Sequence, residues 1–271
     1  MRINRKLILF FWLIIIIPFA AYSQQYDAED DFIFENNREK VGDRGYRTLP
    51  EIIITGYKGT RKNVRIPSQI QNLPVVGIGN GAFSDEQLTN VVIPNSIRYI
   101  GHEAFLRNKL TDLVIPDGVV NIGELAFAYN QLTSVSFPKS VTYIGYEAFR
   151  DNLLTDIKLP ENLGWIVGRI FEANKLTSIT IPDGIKSIGT FAFGNNPLTT
   201  VILPNSVNFI APGAFQSTQL TRITIGKNVE LFARRSGDIY FTKEFDEFYL
   251  HRVDSRAGTY IFNNGRWQAA D

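Results

Sequence analysis

Residues 88–109 read LTNVVIPNSIRYIGHEAFLRNK, and the unit returns every 22 residues. Leu followed by Thr recurs at Leu88, Leu110, Leu132, Leu154, Leu176, Leu198 and Leu220, and Phe keeps the same register at Phe83, Phe105, Phe127, Phe149, Phe171, Phe193 and Phe215. Pro94, Pro116, Pro138, Pro160, Pro182 and Pro204 form a third column, ended by Gly226. A period this strict marks a repeat solenoid, in which each unit is too small to bury its apolar face alone and must stack on its neighbours.

Within the unit, LTxVxIP alternates as a short strand does, with Val91 and Ile93 on one side and Asn90 and Val92 on the other. Pro94 cannot donate to a ladder and closes the strand. Ile97, Ile100, Ala104 and Phe105 then fall at the spacing of a tight turn or short helical segment, with Gly101 where the coil changes direction. The expected fold is a solenoid of short parallel strands stacked about 4.8 Å apart. The Phe column should supply most of the core, its rings packed face to edge along the axis. Asn108, Asn130, Asn152, Asn174 and Asn196, two residues before each Leu, read as a structural ladder that satisfies buried backbone groups.

Working outward, KNVRIPSQIQNLPVVGIGNGAF repeats the pattern with five extra residues, as a terminal coil does. The array is therefore placed at residues 64–226, behind an N-terminal cap at 51–63 whose EIIITGY run has strand composition. Residues 24–50 read as a flexible lead-in. Residues 1–23 have the basic, apolar and small-residue layout of a signal peptide. Their apolar run, Leu7 to Phe19, is shorter than the roughly 20 residues an anchor helix needs. Residues 227–271 lose the period and gain nine aromatics between Phe232 and Trp267. A β-rich cap explains them, with a hairpin at Asn264-Gly265; a carbohydrate-binding module is the alternative.

Composition excludes several classes. There is no Cys, hence no disulfide or thiolate metal site. The formal net charge is +1, and loss of Arg2, Arg5 and Lys6 with the leader leaves 25 basic against 27 acidic residues. Neither value suits a nucleic-acid partner. Only His102 and His251 are present, neither in a metal-ligand spacing, and GIGNG at 77–81 belongs to the repeat's Ile-Gly turn. Glu29, Asp30 and Asp31 sit together without a period or cleft. No nucleophile, base and orienting group are brought together, so neither catalysis nor a cofactor is expected.

The repeat LTxVxIPxSVxxIGxxAFxxNx, carried by LTNVVIPNSIRYIGHEAF, LTSVSFPKSVTYIGYEAF and LTSITIPDGIKSIGTFAF, resembles the BspA-like leucine-rich repeat family of bacterial surface proteins. The resemblance covers residues 64 to about 226, and ITGYKGTRKNVRIP and AGTYIFNNGRW look like flanking segments of such proteins. It implies an exported leucine-rich repeat protein at the cell surface, in the periplasm or secreted. Some members adhere to host matrix proteins or to other bacterial surface proteins; the family carries no shared catalytic residues. The second domain and wall-anchoring signal of the longer members are not expected in this sequence.

Two sets of positions are free of the core pattern. On the outward strand face Asp112, Asp156, Lys158 and Arg222 stand out in a row that is mostly small and neutral. The slot before the inner Ile holds Tyr99, Asn121, Tyr143, Trp165, Ser187 and Phe209, an aromatic stripe that either covers gaps between coils or contacts a partner. Trp165 lies in the one degenerate unit, where Val167 replaces Gly and Ile170 replaces Ala. The expected partner is a protein, with carbohydrate bound through the C-terminal aromatics as the alternative.

Overall fold

The computed structural model describes residues 27–40, 46–216, 218–226, 229–231, 240–251 and 256–270. The expected signal peptide at 1–23 lies outside these residues. The chain winds as a parallel β-solenoid whose coils contain strands and turns, each giving one short strand to a front set and one to a rear set, except the coil at 154–175, which gives only the bridge residues Lys158 and Ile166.

The front ladder is built from the LTxVxI segments: Asn63–Arg65, Asn90–Val92, Asp112–Val114, Ser134–Ser136, Ser178–Thr180, Thr200–Ile202 and Arg222–Ile225. Their burial alternates, the middle residue inward and its neighbours outward, because side chains of a strand point to opposite faces. Pro94, Pro116, Pro138, Pro160 and Pro204 then accept from the N–H three residues on, as Pro94 does from Ile97 at 3.2 Å and Pro116 from Val119 at 3.0 Å, which turns the chain inward. Tyr99–Ile100, Asn121–Ile122, Tyr143–Ile144, Ser187–Ile188, Phe209–Ile210 and Glu230–Leu231 form the rear ladder.

The core lies between the ladders. Phe83 through Phe215 are fully buried, as are the Leu column and the inner Val and Ile. The rings do not meet face to edge. Successive centroids stand 5.0 to 5.8 Å apart with interplanar angles of 7° to 19°. Identical positions one coil apart share one rotamer, so the rings are held parallel and offset, which also suits their quadrupoles. The Asn column is the ladder the sequence suggests: Asn152 Oδ1 accepts the N–H of Leu132 at 3.0 Å, and its Nδ2 donates to the carbonyls of Phe127, Phe149 and Arg150 at 2.9 to 3.3 Å.

Both ends differ from expectation. Much of the stretch expected as a flexible lead-in is strand: Phe32–Lys40 pairs antiparallel with Tyr46–Tyr57, which joins the rear ladder through Leu73–Ile78. The cause is apolar surface at the first coil, since Phe32 and Tyr57 lie over Phe83 at 6.3 and 5.6 Å. At the other end the hairpin Gly258–Asn263 and Arg266–Ala269 is present, its turn at Asn264 (φ 48°) and Gly265 (φ 77°) in the left-handed region that an Asn-Gly turn needs. A helix, Lys243–His251, was not expected there. Tyr240-Phe241 takes the Ala-Phe place of a further coil: Phe215 N–H donates to Tyr240 O at 2.9 Å, and Phe241 stacks on Phe215 at 4.9 Å. Phe245 then closes the column edge-on at 5.2 Å. The Asp246 carboxylate accepts the N–H groups of Tyr240 and Phe241 at 2.7 and 3.2 Å and pins this turn to the helix. Burial pushes its pKa up to about 7 against those two hydrogen bonds.

The glycines after the rear strands decide how closely the coils approach. A Cβ on Gly123 would sit 2.6 Å from Gly101 C and from His102 N, and one on Gly145 would sit 2.6 Å from Gly123 C. Ala211 fills the same column with its N–H to Ile188 O bond intact at 2.8 Å, so a methyl is accommodated there. We expect the bulkier Gly123→Val to cost about 3 kcal/mol through forced backbone displacement, read as a lower midpoint in urea. A midpoint equal to wild type would show that the coils can separate freely.

Candidate partner-binding face

The stripe residues occupy the outward side of the rear ladder, where Tyr99, Asn121 and Tyr143 are direct cross-strand neighbours. Tyr99 is half-buried, and its ring lies in the space that a Cβ on Gly77 would occupy. That is the gap-covering role. Burial, reinforced by the charges of Glu51 and Glu35, pushes its pKa up to about 12. Tyr143 and Phe209 are half-buried in the same way. Trp165 is different: it is 56% exposed, the most exposed aromatic among the described residues.

Trp165 is exposed because the rear ladder is broken beside it. In the next pair of coils, Lys186 N–H donates to Gly164 O, Ile166 N–H to Ser187 O and Gly189 N–H to Ile166 O, at 2.8 to 2.9 Å. Among the described residues no backbone hydrogen bond joins 142–145 to 164–167. The break coincides with a change in sequence: Val167 stands in the glycine column. Since Ala211 holds the same column with its N–H still donating to Ile188 O at 2.8 Å, it is the branched bulk of Val and not a Cβ alone that sets this coil apart. The two coils stay joined elsewhere, through the single front bridge Ser136–Lys158 and through bonds such as Phe149 N–H to Ile170 O at 3.0 Å. The result is an open seam in the rear face between Tyr143 and Trp165, with strand-edge amides and carbonyls free to pair with a partner or water.

On the turns of the same coils lies a charged cluster that the sequence reading missed. Arg150 pairs with Glu147, Asp151 and Glu172 at 3.1, 3.0 and 3.5 Å, and Arg169 pairs with Glu172 at 3.2 Å. Arg150 also lies over the Tyr129 ring at 5.8 Å. These charges are mutually satisfied, so the cluster ties the seam's turns together. No periodic signal announces it, because within each column the residue changes from coil to coil: Glu147 and Arg169 share one column and Arg150 and Glu172 another, with the charge reversed.

The front-face candidates are not gathered. Asp112, Asp156, Lys158 and Arg222 are all exposed, and no ion pair links them among the described residues. The C-terminal aromatics on which a sugar platform would depend are mostly consumed by the cap: Tyr240, Phe245, Tyr249 and Tyr260 are at most 2% exposed and Trp267 is 7%. Phe262, at 38%, is the exposed ring of that set. Among the described residues no group of three His, Asp or Glu side chains could hold a metal, and no helix is long and apolar enough to cross a membrane.

The family model described as BspA type leucine rich repeat region matches in six copies, over residues 57–174 and 120–236. No curated protein matches. Solved structures do. A leucine-rich repeat protein of T. pallidum is 27% identical, with 73% of this chain and 81% of that one covered and a TM-score of 0.45. A leucine-rich cell surface protein of Faecalibacterium prausnitzii is 22% identical, covering 69% of each chain at a TM-score of 0.45. A leucine-rich repeat protein of Bacteroides ovatus is 21% identical, over 73% of this chain and 66% of that one, with a TM-score of 0.45.

Proposed function

The chain belongs to the BspA-type leucine-rich repeat family, and from that premise we propose that it is an exported, non-enzymatic adhesion protein that binds a protein partner at a host or bacterial surface through the aromatic stripe of its rear ladder. The family itself points to protein interaction. Export rests on the layout of residues 1–23. The observation that carries the binding face is Trp165. A large ring held in water beside unpaired strand edges is costly for a fold to keep, and aromatic anchors of this kind dominate protein interfaces. The charged front-face residues lack such an anchor and would serve as a rim.

Two measurements test the proposal. Fractionation of the producing cell should place the mature protein outside the cytoplasm. Immobilised protein should capture one or more members of a panel of purified host extracellular-matrix proteins, and Trp165→Ser should weaken that capture by at least about tenfold, the loss of one hot-spot contact. Undiminished capture by a folded Trp165→Ser variant would remove the seam from the binding face.

A further inference from the structure

A second feature of the rear face adjoins the seam on its Tyr143 side. A cavity of about 400 Å³ opens there, with Tyr99 on one side, Tyr143 on the other and Asn121 between them. Its floor is backbone at Gly101 and Gly123, which lack side chains because the coils approach so closely there. Asn80 and His102 line it from the turn side.

The polar groups are set for a ligand that both donates and accepts. Asn121 is exposed, and its amide has no hydrogen-bond partner among the described residues. Asn80 Oδ1 accepts the N–H of His102 at 2.9 Å, which fixes the Asn80 side chain and leaves its NH₂ free to donate. His102 Nδ1 accepts the N–H of Glu124 at 3.3 Å and stands 3.8 Å from the Glu124 carboxylate; with Nδ1 accepting, the ring proton is on Nε2. The cavity therefore offers an amide with both functions, one NH₂ and one imidazole N–H, with no carboxylate or cationic Lys or Arg among its lining residues. Tyr99 and Tyr143 are two coils apart, about 10 Å at the rise of a parallel ladder. The Tyr99 ring leans back over Gly77, away from Asn121, which keeps the space between the two rings open.

A tyrosine on either side, a lining without carboxylate, Lys or Arg, and interleaved donors and acceptors match the chemistry of a pyranose ring, whose C–H faces are apolar and whose hydroxyls both donate and accept. A sugar's hydroxyls can pair with the Asn121 amide and the imidazole N–H at the same time, which an apolar peptide side chain cannot do. We infer that the cavity bracketed by Tyr99 and Tyr143 is a glycan subsite that takes one sugar residue, with Asn121 and the His102 Nε2–H as its hydrogen-bonding groups. This rests on the adhesion reading in taking the rear stripe as the contact surface, and it adds that the partner displays a carbohydrate there.

The test uses the folded protein and a panel of methyl glycosides of glucose, galactose, mannose, fucose, N-acetylglucosamine and N-acetylgalactosamine, with oligosaccharides built from them. Saturation-transfer NMR and titration calorimetry should detect saturable binding of at least one member. Asn121→Leu and Tyr143→Ser should each weaken it by about tenfold or more, the value of one lost hydrogen bond or ring contact. Because the Asn121 side chain has no protein partner, Asn121→Leu should keep the wild-type melting curve; Asn121→Ala provides the same readout if it does not. Absence of binding across the panel overturns the subsite, and so does binding that both substitutions leave unchanged. Matrix-protein capture that depends on Trp165 while no sugar binds would leave the adhesion reading standing and the glycan subsite refuted.

Discussion

Asn152→Ala is expected to lower the thermal unfolding midpoint by about 10 °C, from a loss of about 4 kcal/mol in an array of this size. The side chain is 3% exposed and makes four hydrogen bonds to backbone in its own and neighbouring coils. Alanine removes all of them, leaves Leu132 N–H buried without its partner, and leaves the Phe127 carbonyl with only the longer bond from Asn130 Nδ2 at 3.2 Å. Asn152→Asp should be at least as harmful, because a carboxylate keeps the acceptor but faces three carbonyls with no proton to offer. Asn121→Ala is the contrast: the same residue type on the outward side of a rear strand should change stability by less than about 0.5 kcal/mol. Calorimetry of the three variants checks the set, and equal midpoints for Asn121→Ala and Asn152→Ala would refute the ladder's structural role.

Phe149→Ala should cost about 4 kcal/mol, the transfer of a buried ring plus the cavity it leaves. Phe149 is fully buried, stacks on Phe127 at 5.4 Å and Phe171 at 5.7 Å, and takes the edge of Phe137 at 5.3 Å. Its place also determines how the loss appears. A solenoid coil is stabilised by its neighbours, so a weak interface divides the stack into two cooperative units. This interface already lacks its rear-ladder bonds beside Val167. Phe149→Ala should therefore convert one unfolding transition into two, whereas Phe105→Ala should not. A single, slightly shifted transition for Phe149→Ala would mean that the seam does not limit cooperativity.

The columns of the repeat were legible because stacking forces them. Leu, Pro, Phe, Gly and Asn each do one thing per coil, so a fixed interval reveals both position and role. Phe241 was not legible as a member of the Phe column, because it lies off the period and is brought into register by the turn that Asp246 holds. The strand at Phe32–Lys40 was hidden for a similar reason: FIFENNREK is rich in polar residues, and what orders it is the exposed first coil and pairing with Tyr46–Tyr57. The parallel stacking of the rings follows from equal rotamers at equal positions, a constraint stronger than the pairwise preference for edge contacts. The stripe could be seen as aromatics outside the core pattern, and Val167 as an exception to it. That the exception opens the ladder beside Trp165 could be known only from how closely the glycines pack. Asn121 appeared as a gap in the stripe, and His102 as a variable surface position; their convergence on one cavity is a property of the coil's path.

The repeat's columns build the fold while the break at Val167 supplies the contact surface, and residue-resolved amide hydrogen exchange, with and without a captured matrix protein, tests this most directly. In the free protein the amides of Gly164 and Val167 should exchange rapidly while those of Gly145 and Gly189, which donate to Ile122 and Ile166, stay protected. On binding, Gly164 and Val167 should become protected, with the outward front strands unchanged. Seam amides that are already protected in the free protein, or that the partner leaves unprotected while the front strands or the C-terminal cap gain protection, would contradict it.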